Sequence, residues 1–361
     1  MRILFCYVVP SGGVETMNRL RCHALRRAGI ECHLLYLRDG AGRQNIIDIP
    51  LFITDRDDEL RMVLQANQYD VIVSICDHLL MQRLRELGYQ GRLIYEAQGL
   101  GSREQARSTL SNAVAHIRRY ASGAITHETP HLMELFNTYL SDFPRFYVQN
   151  IVDSEQFRYM PTSLDSSSEE PIIAWIGRIE RNKNWRLFLQ IGSGLLYRYP
   201  KLQLWMFEDA NIFEADERDQ FEAVVRQLRL VNRLSVRSNV PHSEMPHYLS
   251  AISDSGGLLI STSNVESFGY AASEALSCRC PVLSTDSEGI RSSIIHNVTG
   301  KFFMSGTANE AIHEAVELIE NKSLRTTIIT QGEQYIRTTY SPQRYIADFN
   351  NILSTIGVRS G

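Results

Sequence analysis

No lysine occurs in the first 160 residues. Their 18 arginines stand against 18 acidic residues, so that stretch is neutral. The whole chain of 361 residues has 37 basic and 41 acidic side chains, a formal charge of −4. Nucleic-acid proteins usually show a basic excess, and its absence argues against that class. No run of about 18 apolar residues occurs, so no membrane-spanning helix is expected. The apolar opening, Ile3 to Val9, stops at Pro10 and is too short for a secretory leader; it reads as a strand. None of the six cysteines forms a Cys-x-x-Cys pair with a second pair downstream, so no zinc site is expected. Unpaired core cysteines fit a reduced, cytoplasmic protein. The arginine-only usage suits anion recognition by guanidinium groups, but compositional drift is the stronger reading.

What is present is ordinary for a globular protein. The chain is 43% hydrophobic and 22% charged, and its length suits two domains. Strand-like and helix-like stretches alternate from end to end. Ile3–Val9, Glu31–Leu37, Val71–Cys76, Leu93–Ala97 and Ala124–His127 read as buried strands, and Val14–Ala28 as a helix. The rhythm breaks at 161–171, which is serine-rich and bracketed by prolines, the best linker candidate. It then restarts with strands at Ile172–Ile176, Leu202–Phe207, Gly257–Ile260 and Pro281–Ser284, helices at 184–199 and 214–230, and a helix at Phe268–Ser277. This alternation predicts βαβ units, hence two doubly wound α/β domains at 1–160 and 172–340. The tail from Ser341 carries Tyr345, Phe349, Ile352 and Leu353 at helical spacing. Two such domains usually bind ligands between them, at the carboxyl ends of their strands.

Three segments carry chemistry. Pro10-Ser11-Gly12-Gly13-Val14-Glu15 joins a strand to a helix. Glycines there allow close backbone approach, and the helix N-terminus suits a phosphate; a plain tight turn is an equal reading. Gly177-Arg178-Ile179-Glu180-Arg181-Asn182-Lys183 follows a strand. Arg178 and Lys183, five positions apart, can converge on a diphosphate and stabilise it as a leaving group. Taken alone, a solvated charged loop explains them better. The most specific segment runs from Ser263 to Leu276. It places Glu266 before the helix start, Gly269 near that start and Glu274 in the third turn of a helix begun at Phe268. Carboxylates suit polyols because each accepts several hydrogen bonds. Glu274 then fits a ribose and Glu266 a sugar ring. As plain structure, Glu266 would cap the helix and Glu274 would face solvent, although apolar neighbours on both sides weaken that for Glu274.

Together these residues resemble the retaining glycosyltransferases of the GT-B fold, family GT4 (glycosyl transferases group 1). Glu266 to Glu274 is similar to the family's E-x7-E element, in the form E-x-F-G-x-x-x-x-E. Gly177, Arg178 and Lys183 resemble its G-R-x(4)-K segment, and Gly12-Gly13-Val14-Glu15 its G-G-x-E turn. Ser284–Ile290 and Asn297–Gly300 match its following loop and strand. The resemblance implies an α/β fold of two Rossmann-like domains facing across a cleft, with the last helix crossing back onto the first. It implies transfer of a sugar from a nucleotide diphosphate, UDP favoured and GDP the alternative, to a hydroxyl with retention of configuration. Envelope polysaccharide or glycoconjugate synthesis would be the setting. Arg178 and Lys183 would bind the diphosphate, helped by amides at Gly12, Gly13, Phe268, Gly269, Tyr270 and Ala271. Glu274 would hold the ribose and Glu266 the transferred sugar, with Glu266, Arg178 and Lys183 as the catalytic set.

The same resemblance implies no cofactor and no metal. Asp55-Arg56-Asp57 spells a DxD, but it lies in a charged stretch and reads as solvated surface. Gln98 stands where the family often has His. Glu96, Gln98 and His127 are therefore the candidates for the sugar and acceptor side. The acceptor, whether a saccharide, a lipid-linked saccharide or a small molecule, is not specified. Arg103–Tyr120 is amphipathic, and an ordinary surface helix is its better reading than a membrane contact at the inner face. The alternatives are a GT-B sugar-nucleotide epimerase and a non-catalytic nucleotide-sugar-binding protein.

Overall fold

The computed structural model describes residues 1–161, 170–304 and 306–358 and divides into two α/β units. One comprises Met1–Ile151 with Tyr340–Gly361, the other Val152–Thr339. The first unit contains β1 (Arg2–Tyr7), α1 (Gly12–Arg27), β2 (Glu31–Tyr36), β3 (Leu51–Ile53) and α2 (Asp57–Asn67). β4 (Val71–Ile75), α3 (His78–Glu86), β5 (Arg92–Ala97), α4 (Arg103–Tyr120), β6 (Gly123–Thr126), α5 (Pro130–Tyr139) and β7 (Arg145–Tyr147) follow. The second unit contains β8 (Ile172–Ile176), α6 (Trp185–Leu195), β9 (Gln203–Glu208), α7 (Ala215–Gln227), β10 (Leu234–Ser238) and α8 (Met245–Asp254). It continues with β11 (Leu258–Ser261), α9 (Tyr270–Ser277), β12 (Val282–Thr285), β13 (Lys301–Phe303), α10 (Ala308–Glu320) and α11 (Lys322–Thr339). A final helix, α12 (Pro342–Thr355), belongs to the first unit.

Both sheets are parallel throughout, in the orders β3-β2-β1-β4-β5-β6-β7 and β10-β9-β8-β11-β12-β13. Parallel strands are covered by helices on both faces, which is why their sequences read as unbroken apolar runs. Leu4 and Cys6 of β1 join one core with Leu80, Leu84, Leu110 and Ile117 of α3 and α4. Phe5 points to the other face, where its ring lies 6.0 Å from Phe349 of α12. The tail's apolar stripe, Tyr345, Phe349, Ile352 and Leu353, is buried there.

The division falls at residue 151 rather than 160. Val152–Met160 belongs to the second unit: the Tyr159 hydroxyl donates to Asp254 at 2.9 Å and the Met160 amide to Ser250 Oγ at 3.0 Å. Of the expected linker, residues 162–169 lie outside the described residues. The strands β3, β7, β10 and β13 have no counterpart among the strands read from sequence. Each sits at or next to a sheet edge, most have only three residues, and none shows the long apolar run of a central strand. Helix α9 begins at Tyr270, two residues later than the spacing suggests. Gly269 takes a left-handed conformation (φ 79°) and ends the preceding loop. Glu274 therefore lies in the second turn, not the third.

Candidate active site

In the second sheet the chain leaves β8 toward β9 on one side and β11 toward β12 on the other. The loops after β8 and β11 therefore flank the switch point, where a doubly wound sheet opens a crevice at its carboxyl edge. These loops hold Arg178, Lys183 and Glu266. Asn182 fastens one to the other: its Nδ2 donates to the Val265 carbonyl at 3.0 Å, and its Oδ1 accepts from the Val265 amide at 3.1 Å. The Asn264 amide donates to the Asn182 carbonyl at 2.8 Å, and Thr262 Oγ1 to the Lys183 carbonyl at 2.8 Å. Trp175, buried at the end of β8, donates its indole N–H to Thr262 Oγ1 at 3.0 Å.

On this scaffold Lys183 Nζ meets Glu266 Oε1 at 2.6 Å, and Ser263 Oγ donates to the same oxygen at 2.7 Å. The half-buried pair does not reproduce the plain capping role for Glu266, since α9 has no side-chain cap. A side chain at Gly177 would come within 2.8 Å of the Trp175 ring and 3.3 Å of Lys183 Cγ, so only glycine lets the lysine stem pass. Arg178 pairs with Glu180 at 3.3 Å and stays partly exposed. Gly289 N donates to the Glu266 carbonyl at 3.1 Å, and a Cβ there would collide with the carbonyls of Glu266 and Ser267. The Ser284–Ile290 segment thus braces the Glu266 turn, and Thr285 Oγ1 adds a 2.6 Å bond to the Ser263 carbonyl.

Past this turn, α9 begins without a side-chain cap, and its aligned peptide dipoles concentrate positive charge at that end. Phe268 and Tyr270 pack edge-to-face at 4.9 Å beside it. Glu274 is only 7% exposed, so it does not face solvent. His242, in the loop before α8, donates from Nε2 to Glu274 Oε1 at 2.8 Å. Sequence reading missed His242, because nothing in its local spacing tells that it reaches a helix 32 residues away.

The remaining candidates lie in the first unit. Gly12 and Gly13 are exposed at the start of α1, and Gly12 is left-handed (φ 66°). The carboxylate of Glu15 is buried and held by Arg19 at 2.9 Å. Glu96 is also buried, at the end of β5, where Arg21 Nη1 donates to its Oε2 at 2.6 Å and Gln98 Nε2 to its Oε1. Since a carboxylate only accepts, the Gln98 amide must turn its N–H toward Glu96. His127 is 4% exposed, and burial pushes its imidazole down to about 4 against the pull of Glu96. It is therefore neutral near pH 7. Of these three, only Gln98 is partly exposed. Several arginines of this unit serve the fold: Arg83 bridges Asp55 and Asp57 at 2.7 and 2.8 Å, and Arg85 donates to the carbonyls of Tyr89 and Gly91. The DxD carboxylates are thus engaged by a guanidinium. Among the described residues no group of three or more His, Cys, Asp or Glu could hold a metal ion, and no helix is long and apolar enough to cross a membrane.

Residues 159–335, the core of the second unit, match the family model described as glycosyl transferases group 1. The 2-deoxystreptamine N-acetyl-D-glucosaminyltransferase of Niallia circulans is 21% identical over 51% of this chain and 45% of its own length. The phosphatidylinositol N-acetylglucosaminyltransferase GPI3 subunit of Saccharomyces cerevisiae is 25% identical over 50% and 39%. The chain thus spans less than half the length of these curated relatives. A crystal structure of Anabaena HepE in complex with UDP-glucose superposes with a TM-score of 0.82, covering 98% of this chain and 100% of that one at 18% identity. The fold is GT-B, two parallel-sheet Rossmann-like units. The family match supports a glycosyltransferase.

Proposed function

We propose that the chain is a retaining glycosyltransferase of family GT4 that takes its sugar from a nucleotide diphosphate, UDP favoured over GDP. One observation carries this reading: two carboxylates flank the uncapped start of α9, Glu266 tied to Lys183 and Glu274 tied to His242. The diphosphate lies on the α9 amides with Lys183 and Arg178 beside it. Positive charge fixed there stabilises the leaving group as its bond to the anomeric carbon breaks. Glu274 takes ribose hydroxyls and Glu266 those of the transferred sugar. The acceptor hydroxyl attacks on the face that the diphosphate leaves, and the departing phosphate oxygen takes its proton. Gln98, partly exposed and held by Glu96, is the contact for a sugar or acceptor hydroxyl in the first unit. Support comes from the family match over 159–335 and from the two relatives, both N-acetylglucosaminyltransferases by name. Their acceptors differ by name, so the acceptor here is left as a hydroxyl compound.

The test is calorimetric titration of Glu274→Ala and Glu266→Ala, first with UDP and then with UDP-glucose. Glu274→Ala should weaken both ligands, by about 1.5–3 kcal/mol for one lost charged hydrogen-bonding partner. Glu266→Ala should leave UDP affinity nearly unchanged and weaken only the sugar donor. Equal losses for both ligands in both variants would mean that the carboxylates serve the fold.

Metal independence follows from the same site. Cationic side chains and helix amides, rather than a divalent ion, neutralise the diphosphate, and Asp55 and Asp57 are already paired with Arg83. UDP-glucose should bind equally well in EDTA and in magnesium or manganese. Binding seen only with the metal would overturn the assignment of Lys183 and Arg178.

A further inference from the structure

Glu274 is nearly buried, and an ionised carboxylate in that position needs donors. Among the described residues its Oε1 accepts from His242 Nε2, and no protein donor reaches its Oε2. The facing group being a carboxylate, His242 must carry its proton on Nε2. The imidazole is itself held. It lies on the turn that leads into α8, where the Glu244 amide donates to the Pro241 carbonyl at 2.9 Å. Its ring packs against Phe157, centroids 4.6 Å apart and planes tilted by 47°. The His242 side chain is 13% exposed, so a ring on one side and a carboxylate on another leave it little rotational freedom.

A carboxylate held by one oxygen presents the other in a single direction. We propose that His242 is a positioning residue which aims Glu274 at the ribose diol of the donor, and so sets the preference for a ribonucleotide over its 2′-deoxy counterpart. The proposal rests on the reading of Glu274 given above. It adds that the selectivity comes from the imidazole hydrogen bond rather than from the carboxylate alone. Without that bond, Glu274 is free to turn, and a vicinal diol loses a correctly placed acceptor. A 2′-deoxyribose, which cannot engage both ways, loses much less.

The experiment measures binding of UDP, GDP and their 2′-deoxy forms by calorimetry to the full chain. Three proteins are compared: the natural chain, His242→Phe, which keeps a ring against Phe157 but cannot donate, and His242→Gln, which keeps an N–H donor. Thermal melting confirms that each variant folds. The natural chain should prefer the ribose form of its nucleotide by about tenfold or more, the lower range for a charged hydrogen bond. His242→Phe should lose about tenfold for the ribose form with little change for the deoxy form, so that the ratio falls toward one. His242→Gln should retain most of the ratio. If His242→Phe discriminates as well as the natural chain, the positioning role is wrong while the reading of Glu274 stands. If His242→Gln loses the ratio as fully as His242→Phe, an N–H donor at this position does not restore the preference, and the role of the hydrogen bond is wrong. If the natural chain itself shows no preference, Glu274 does not bind ribose, and the reading beneath the proposal fails first.

Discussion

Lys183→Ala is expected to lower sugar transfer by about two to three orders of magnitude, the effect of removing one charge stabiliser from a preorganised site. The magnitude follows from how firmly the lysine is held. Asn184 beside it adopts a left-handed conformation (φ 48°) that turns the loop into α6. Asn182 on the other side is bonded to the Glu266 turn through three hydrogen bonds. An ammonium placed this way needs no reorganisation as negative charge develops on the diphosphate. The substitution also leaves the Glu266 carboxylate with Ser263 as its only protein donor among the described residues. Arg178→Ala should have a comparable effect. The measurement is the rate of UDP release from UDP-sugar with acceptor present, alongside thermal melting to confirm folding. Near-full rates in both variants would place the diphosphate elsewhere.

Arg21→Met should destabilise the first unit by about 3–5 kcal/mol, the range for removing one partner of a buried ion pair. Arg21 is fully buried, a rare position for a guanidinium. Burial works against its charge, but Glu96 and the Tyr345 hydroxyl outweigh that, and its pKa is raised rather than lowered. Nη1 donates to Glu96, Nη2 to Asn18 at 2.5 Å, and the guanidinium lies 3.8 Å over the Phe5 ring. Truncation leaves the Glu96 carboxylate buried with Gln98 alone. Glu96→Leu should be similarly damaging, because it strands the guanidinium. The pair Arg21→Met with Glu96→Leu should cost clearly less than the sum of the two, since replacing both charges by apolar groups avoids a stranded one. Denaturant unfolding of the four proteins measures this coupling. Single substitutions costing less than about 1 kcal/mol would show that the pair is not what holds α1, β5 and α12 together.

The site was legible only where chemistry and local chain geometry coincide. Gly269 announced a turn because a left-handed residue was needed there, and Glu266 and Glu274 stood out as carboxylates around it. Their roles in sequence form assumed a helix from Phe268. The left-handed Gly269 moved the start to Tyr270, which makes Glu274 the fifth residue of the helix and leaves it two positions nearer the helix amides. The bonds that hold the site, Asn182 to Val265, Lys183 to Glu266 and His242 to Glu274, link residues 83, 83 and 32 positions apart. No local pattern carries such pairings.

By itself, the sequence determined the class of fold. Buried strands between helices must be apolar on both faces, and that rule is written into Ile3–Cys6, Val71–Val73 and Ile172–Trp175 as unbroken runs. It also determined the helical face of the tail, since the spacing of Tyr345, Phe349, Ile352 and Leu353 admits one buried side. Tertiary structure alone decided the rest. Edge strands such as β3 and β10 exist because a neighbouring strand pairs with them, and their own residues show little of it. In sequence the arginines of the first unit admit an anion-binding reading, although compositional drift is the stronger one. Packing gives them to carboxylates and carbonyls instead, because a buried guanidinium is stable only where acceptors from distant elements meet it. The same holds for Glu96 and His127, which read along the chain as candidates for the sugar and acceptor side. Burial among Arg21, Gln98 and Asn150 makes the carboxylate a structural anchor and keeps the imidazole neutral.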